Sequence, residues 1–277
     1  MSTLTPFTDM APVPRVLVDV PVGEFPAGAV TVSLVRECEG RTIAVRGGKR
    51  LPATSPIILT DHEPGFGVES AYTVLGHDAA GNITGSLPVG STVVNFDGVV
   101  VQQPLDPRLS VQVKRLVSTA AEISRETPGE LVYPQGHGLP GLIGLGPRRG
   151  VEGVHLDLFV SNHADADALQ DTLGTYEKRQ LPVWLVRTPP GQRLPRVFFC
   201  HVPRLTEVNI NGHIGMEYVQ FSAVVTETRP PAANISAAVL THSDMKVFFA
   251  THTQVKARYA THSDIKRDTS LIGAADA

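Results

Sequence analysis

Cysteine, tryptophan and long apolar runs are all scarce in this chain of 277 residues. The two cysteines, Cys38 and Cys200, are too few and too distant for a disulfide framework, so we interpret them as thiols of a chain made in a reducing cytosol. The N-terminus has no basic region followed by an apolar stretch, which predicts no secretory signal. The longest apolar runs, such as residues 16–20, are far shorter than the ~20 residues of a membrane span. We therefore expect a soluble chain with no membrane span.

An excess of charge of one sign is also absent. The 24 Lys and Arg residues nearly balance the 27 Asp and Glu residues, and the formal net charge is -3. Without a polybasic tract the chain has no electrostatic footprint for a phosphate backbone, so we expect no nucleic-acid specificity. Turn-forming residues are abundant instead, with 25 Gly and 22 Pro beside a hydrophobic content of 42%. This composition favours a mainly β protein with real cores.

Motifs for catalysis are missing as well. No Gly-x-Ser-x-Gly elbow is present, and no Gly-Lys-(Ser/Thr) follows a glycine-rich loop. The spacing of Gly144, Gly146 and Gly150 does not fit a dinucleotide fingerprint. His201 is next to Cys200, but neighbours on a strand point to opposite faces, so it is not expected to activate the thiol. We predict that the chain is not an enzyme and binds no cofactor.

Two groups of histidine and aspartate residues are candidate metal ligands. His155 and Asp157 share one face of a predicted strand, but no third ligand accompanies them. His163 precedes Asp165 and Asp167, whose carboxylates favour the first turn of a predicted helix through the helix dipole. We therefore predict no metal site and interpret these side chains as solvated or interface residues.

Short strands separated by turns are predicted from residue 15 to residue 104, after an irregular N-terminal arm over residues 1–14. The runs are rich in Val, Ile, Thr and Tyr and fit a small antiparallel sandwich. They cover residues 16–20, 30–36, 42–45, 56–59, 71–75 and 92–101. Within this region Tyr72-x-Val74-x-Gly76-x-Asp78-x-x-Gly81 resembles the F strand of fibronectin type III domains, whose tyrosine packs at a corner of the sandwich. An ordinary edge strand with an inward tyrosine is the alternative.

A second β-rich unit is predicted over residues 105–230, because Leu105-Asp106-Pro107 favours a turn and marks a boundary there. Apolar residues alternate with polar ones over residues 154–160, as in a strand with one face in a core. Asn162, or Ser161, is a good N-cap for a helix over residues 164–173 that Gly174 ends. Further strands of this unit are predicted over residues 109–116, 130–133, 182–187, 196–202 and 217–227.

The last segment, residues 231–277, repeats itself three times at an interval of ten residues. The copies begin Thr241-His242-Ser243-Asp244-Met245-Lys246, Thr251-His252-Thr253-Gln254-Val255-Lys256 and Thr261-His262-Ser263-Asp264-Ile265-Lys266. A repeated unit of this kind favours one contact presented several times. Each unit has residues that can start a helical turn, with Ser243, Thr253 and Ser263 as candidate caps. An extended strand is the alternative, because ten is even and keeps the register of a strand.

An apolar face on this segment needs a partner to cover it. In one straight helix the three histidines would be ~15 Å apart and rotated from one another, too far for a shared ion within one chain. We interpret them as packing or capping residues. The candidate partner-contact residues are Met245, Phe248, Phe249, Val255, Tyr259, Ile265, His242, His252 and His262.

Four groups of residues together resemble minor tail proteins of long-tailed phages (siphophages) that infect actinobacteria. They are Asp61-x-Glu63-Pro64-x-Phe66-Gly67-Val68 leading into Tyr72-Thr73, Arg149-Gly150-Val151-Glu152-Gly153, Leu185-Val186-Arg187-Thr188-Pro189-Pro190-Gly191, and the terminal decapeptides. The resemblance covers most of the chain. It departs at the repeat, where His occupies the position at which an aromatic such as Tyr is expected.

The resemblance implies a structural component of the virion tail, assembled in the cytoplasm of the bacterial host. The role it implies first is that of the distal tail protein, which joins the tail tube to the tip. It implies a fibronectin-like sandwich, a ring-forming tail-assembly domain of the β-sandwich or split-barrel kind with one helix, and a C-terminal docking arm of short helices. The implied partners are identical subunits in a ring, a hexamer first and a trimer second, and neighbouring tail-tube, tape-measure or tail-tip hub proteins. The alternatives are a receptor- or glycan-binding minor tail protein and, after it, a tail-associated hydrolase.

Overall fold

The computed structural model describes residues 1–117, 123–133, 135–136, 138–144, 146–210, 218–233, 240, 242–268 and 271. The protein is mainly β, as the composition predicts, and every pairing between its named strands is antiparallel. Among the described residues no helix is long and apolar enough to cross a membrane.

The N-terminal part is a sandwich of two sheets. Its strands are β1 (Thr3–Phe7), β2 (Arg15–Val20), β3 (Thr31–Cys38), β4 (Arg41–Ala44), β5 (Leu51–Pro52), β6 (Ile57–Asp61), β7 (Glu69–His77) and β8 (Ile83–Val93). One sheet has the order β1-β2-β6, and the other has the order β4-β3-β7-β8 with β5 added to β3. Val18, Leu34 and Val74 are fully buried and belong to the single core between the two sheets. Alternation along each strand places such residues on the inner face.

The second part is one large antiparallel sheet that curves as a half-barrel. Its strands are β9 (Val99–Gln103), β10 (Asp106–Val113), β11 (Arg115–Val117), β14 (Val154–Val160), β15 (Val183–Arg187), β16 (Val197–His201), β17 (Thr206–Asn209) and β18 (Val219–Glu227). Their order is β10-β9-β15-β16-β18-β14-β11, and β17 also pairs with β18. Val154, Leu156, Leu158 and Val160 are fully buried, which confirms the predicted strand with one face in a core.

One α-helix covers the inner side of this sheet. Helix α1 (His163–Asp171) begins after Asn162, whose Oδ1 accepts a hydrogen bond from the Asp165 amide at 2.6 Å. Gly174 follows the helix with a φ of 78°, a left-handed conformation that favours glycine. The predicted cap and the predicted end of the helix are both confirmed. Beyond the helix, Thr172 Oγ1 accepts from the indole N–H of the buried Trp184 at 2.6 Å, which ties the helix end to β15.

Some expectations about the strands are wrong. Residues 3–7 are not irregular, because β1 pairs along its whole length with β2. The run over residues 92–101 is divided between β8 and β9, and β9 pairs with β10 and β15 of the large sheet instead of joining the sandwich. The run over residues 109–116 is divided between β10 and β11. A short strand over residues 130–133 is present as β12 (Glu130–Val132), but it returns as β13 (Gly141–Ile143) to form a separate two-stranded sheet that was not predicted.

The two units are joined by a buried arginine. Arg187, at the end of β15, donates hydrogen bonds to the carbonyl oxygens of Pro14 at 2.7 Å and Pro64 at 3.3 Å, and to Gln102 Oε1 at 2.8 Å. Its guanidinium lies 4.5 Å from the ring centroid of Phe66. Burial lowers the pKa of Arg187 to about 9, although nearby carboxylates act in the opposite direction. An arginine held by both units fixes one against the other.

Candidate interaction sites

The ten-residue repeat forms three short helices. These are α2 (His242–Phe248), α3 (His252–Arg258) and α4 (His262–Arg267), one in each copy. Thr251 and Thr261 are the N-caps of α3 and α4, and each forms a reciprocal capping box with the residue three positions on, Gln254 or Asp264. Hydrogen bonds from Thr261 lower the pKa of the Asp264 carboxyl. The extended alternative is not what the structure adopts in these copies.

The predicted caps Thr253 and Ser263 are wrong, as the first residue of the copy, not the third, caps the helix. A capping side chain must belong to a residue with extended backbone angles, just before the first helical residue. Thr251 and Thr261 have those angles, whereas Thr253 and Ser263 already lie within the first turn. The candidate cap Ser243 also lies inside its helix, α2.

Successive copies contact each other through their ends. The rings of Phe249 and Tyr259, ten residues apart, pack edge to face with centroids 6.0 Å apart. The Tyr259 hydroxyl donates to Asp268 Oδ2, which also pairs with Arg258 at 3.0 Å. Met245, Val255 and Ile265, at the fifth position of each copy, are half-buried. The repeat is therefore a short stack in which one copy packs on the next.

This stack lies against the chain's own sandwich. Arg267 in α4 donates from Nε and Nη2 to Asp19 Oδ2 of β2, at 2.8 and 2.7 Å. Ahead of the repeat, the Ala233 carbonyl accepts from the Gly47 amide at 2.7 Å and the Ala232 carbonyl accepts from Arg46 at 3.1 Å. Part of the apolar surface that was expected to need another molecule is covered within the same chain.

The candidate contact residues therefore separate into two groups. Tyr259 is buried and Phe249 is half-buried, as are the three fifth-position residues. Phe248 is 50% exposed and stays available to a partner. His242, His252 and His262 are all exposed at the first residue of their helices, so they neither pack in a core nor supply the capping hydrogen bond.

A more exposed apolar surface lies on the β12–β13 hairpin. Leu131 and Leu142 face each other across the two strands and are 57% and 53% exposed. Tyr133, two residues beyond Leu131, is 69% exposed, and Val132 and Ile143 on the other face are 40% and 51% exposed. The signal in the sequence was a pair of apolar runs around the glycine- and proline-rich residues 134–141, of which only the first was predicted as a strand. We call this surface the hairpin ridge.

A second exposed apolar surface lies on the outer face of β17 and β18. Val208, Ile210, Tyr218 and Val224 are 48%, 44%, 42% and 45% exposed. A hollow of about 460 Å³ opens beside Val224, and its other lining residues include Pro203, Arg204, Thr206 and His155. We call this surface the β17–β18 strip. The sequence pattern did not indicate this strip, because β17 was not predicted.

Several charged groups converge at buried positions in the sandwich. Asp61 accepts hydrogen bonds from Arg36, from the Tyr72 hydroxyl at 2.8 Å and from the Glu63 amide at 2.9 Å, and all these residues are buried. Burial favours the neutral carboxyl, but Arg36 outweighs it and lowers the pKa of Asp61. Arg46 pairs with Glu63 at 2.8 Å. This network is closed to solvent, so it connects strands and does not form a reaction site.

In the described part of the chain, the candidate catalytic and metal-ligating residues do not come together in one site. Cys200 is fully buried, burial raises the pKa of its thiol, and His201 points to the exposed face, as the alternation of a strand requires. Asp157 is hydrogen-bonded to Ser222 Oγ, and His155 is exposed. Over the described ranges, no group of three or more His, Cys, Asp or Glu side chains is placed to hold a metal ion.

Comparisons of this chain with protein-family models, with curated proteins and with solved structures found no match.

Proposed function

We propose that this chain is a structural component of a phage tail tip, first of all the distal tail protein that connects the tail tube to the tip through an oligomeric ring. The observation that carries the proposal is the combination of two β-units joined through the buried Arg187 with apolar surfaces left exposed. A protein that works by contact needs such surfaces, whereas an enzyme needs converging titratable groups. The resemblance of four sequence segments to siphophage minor tail proteins supplies the biological setting.

The fibronectin-like character of the sandwich is part of this proposal. Its strand order, three strands against four with an added short one, is compatible with that architecture, and Tyr72 of β7 donates to Asp61 at the end of β6. The tyrosine corner of related sandwiches bonds to the backbone a few residues upstream, whereas the Tyr72 hydroxyl bonds to the Asp61 side chain of the opposite sheet. In the proposed arrangement this sandwich decorates the outside of a ring formed by the curved sheet.

The repeat is proposed to act as a docking segment that extends from the sandwich to a neighbour. Its inner side is held on β2 through Arg267, and its outer side presents Val247, Phe248 and the three histidines. Three equivalent outward positions at a fixed spacing suit a contact that is presented several times, as the interval of ten residues predicts.

Electron microscopy of the purified chain and of phage tails tests the proposal. Negative-stain images are expected to contain closed rings, and gold-labelled antibodies against this chain are expected to mark the junction of tube and tip. A chain truncated after Arg229 is expected to give defective tails. Labelling confined to the capsid, or normal tails assembled from a phage that lacks the gene, would overturn it. Labelling at the outermost fibres with binding to host glycans would favour the receptor-binding alternative.

A further inference from the structure

We propose that the hairpin ridge of one copy of this chain docks on the β17–β18 strip of a second copy. This inference rests on the assembly part of the proposed function and names the surfaces through which identical subunits join. The observation behind it is that one chain presents two exposed apolar surfaces of different shape, a projecting ridge and a strip with a hollow beside it.

The ridge has a structural reason to need a partner. A two-stranded ribbon is at best marginally stable alone in water, and three or more strands or packing against another surface are usually required. Here both faces of the ribbon carry apolar side chains, with Leu131 and Leu142 on one and Val132 and Ile143 on the other. Alternation normally leaves one polar face on such a strand, so apolar residues on both sides indicate burial of both sides.

The areas agree with an interface between two copies. With roughly 150–220 Å² for a fully exposed large apolar residue, the three ridge side chains on one face (Leu131, Leu142 and Tyr133) leave roughly 350 Å² in water and the four of the strip roughly 300 Å². A standard interface buries about 1,200–2,000 Å² in total, of which a little more than half is apolar. Ridge and strip together supply about the apolar part of one such interface, and neither supplies it alone.

The shapes of the two surfaces are also complementary. The hollow of about 460 Å³ beside Val224 is large enough to receive a projecting side chain, and Tyr133 is the ridge residue with the largest exposure. Buried aromatic anchors of this kind dominate many interfaces.

The contact is heterologous, since the ridge and the strip are different surfaces. A heterologous contact repeated from copy to copy generates a closed ring when the rotation closes, and a filament when it does not. A contact of this kind is what a ring-shaped assembly of identical subunits requires.

The first test measures the oligomeric state of the full chain by light scattering after gel filtration. Leu131→Asp combined with Leu142→Asp is expected to weaken association at least ~100-fold, because two apolar contacts are replaced by buried charges. The matched control is Ile83→Asp in the sandwich, where Ile83 is 64% exposed, and it is expected to leave association unchanged. Emission from Trp184, the only tryptophan, verifies that the large sheet keeps its fold, and circular dichroism verifies the secondary structure of each variant. Unaltered oligomers in the double variant would overturn the inference.

The second test identifies the two surfaces by crosslinking. One tagged chain carries Leu142→Cys and a chain with a different tag carries Val208→Cys, and a short bis-maleimide is added to the mixture. The native Cys38 and Cys200 are 7% and 0% exposed and are therefore expected to react slowly. The expected product joins the two different tags. Products that join only Leu142→Cys chains to each other would indicate an isologous contact and refute the proposed docking.

The two proposals fail in different ways. The ridge–strip contact is refuted if the wild-type chain stays monomeric at the highest soluble concentration, or if the oligomer persists in the double variant. The location of the chain in the tail is then still tested by electron microscopy. Absence of the chain from purified tails removes the tail function, while a ridge-dependent oligomer would still stand as a property of the protein.

Discussion

Replacement of Tyr72 by Phe is the sharpest test of how the sandwich is stabilised. The ring of Tyr72 is 1% exposed and its hydroxyl donates to Asp61 Oδ2 at 2.8 Å. Phenylalanine keeps the packing of the ring and removes only this hydrogen bond. Hydrogen bonds to a charged group contribute about 1.5–3 kcal/mol, so we expect the free energy of unfolding to fall by about 2 kcal/mol. The carboxylate retains Arg36 and the Glu63 amide as donors, which keeps the loss from being larger.

Scanning calorimetry and denaturant titration measure this loss. At about 2–4 °C per kcal/mol for a domain of this size, the melting temperature is expected to fall by about 4–8 °C. Tyr176→Phe is the control, because Tyr176 is 92% exposed and its hydroxyl is expected to contribute within about 0.5 kcal/mol. A loss for Tyr72→Phe that is no larger than that of the control would refute the assigned role of the hydroxyl.

The same variant reports on the coupling between the two units. Trp184 belongs to the second sheet, and its emission follows the unfolding of that sheet alone. Because Arg187 bonds to Pro14 and Pro64 of the sandwich region, we expect the tryptophan transition to shift together with the calorimetric one. A tryptophan transition that stays at the wild-type position would show that the units unfold independently.

Three further predictions concern pH, the helix end and the repeat. Burial lowers the pKa of His62 from 6.5 to about 4, so the unfolded chain binds the proton more tightly than the folded chain does. The free energy of unfolding is therefore expected to fall by about 2–3 kcal/mol as the pH falls from about 6.5 to about 4. His62→Gln should remove that part of the pH dependence in denaturant titrations, whereas the same change at the exposed His201 should not. Thr172→Val leaves the Trp184 N–H without its acceptor and is expected to cost about 1–3 kcal/mol by tryptophan-monitored unfolding, and a loss near zero would contradict it. Arg267→Ala breaks a partly exposed ion pair with Asp19, so we expect less than about 1 kcal/mol of global loss but faster amide hydrogen exchange in α4; unchanged exchange would contradict the docking of α4 on β2.

Local patterns predicted individual elements well where a short physical rule applies. The alternation over residues 154–160 gave the strand β14, and Asn162 with Gly174 gave the start and end of α1. In the repeat the helical tendency was predicted but the caps were displaced by two residues. A serine or threonine early in a helix and one just before it look alike in sequence, and only the backbone angles distinguish them.

Pairing between strands was less predictable. β9 follows β8 closely in sequence and was placed in the same sandwich, but it lies in the other sheet beside β15. Its residues Val99 and Val101 face the large core while Val100 belongs to the core of the sandwich, so the strand is apolar on both faces. A continuous apolar run carries no alternation from which a face or a sheet can be assigned.

The contact of the repeat residues with a partner stays a prediction, whereas their packing within the chain was partly indicated by the sequence. The sequence indicated that the fifth position of each copy and the aromatic residues of the repeat pack, and Phe249 and Tyr259 do so against each other. It did not indicate that Arg267 would hold the stack on β2 of the same chain. It also missed the hairpin ridge, because β13 has only three residues and gives too short a pattern to be recognised as a strand.

The sequence by itself determined the class of this protein: mainly β, with one helix among the strands, a ten-residue repeat with a helical tendency at the end, and no recognisable motif for chemistry. These features depend on interactions within a few residues, such as alternation, capping and glycine at positive φ. Only the tertiary structure decided which surfaces are covered and which remain exposed. Asp19 and Arg267 meet across 248 residues of sequence, and Arg187 reaches Pro14 across 173. Such contacts depend on where whole sheets pack, and that packing leaves the ridge and the strip in water while it covers the inner side of the repeat.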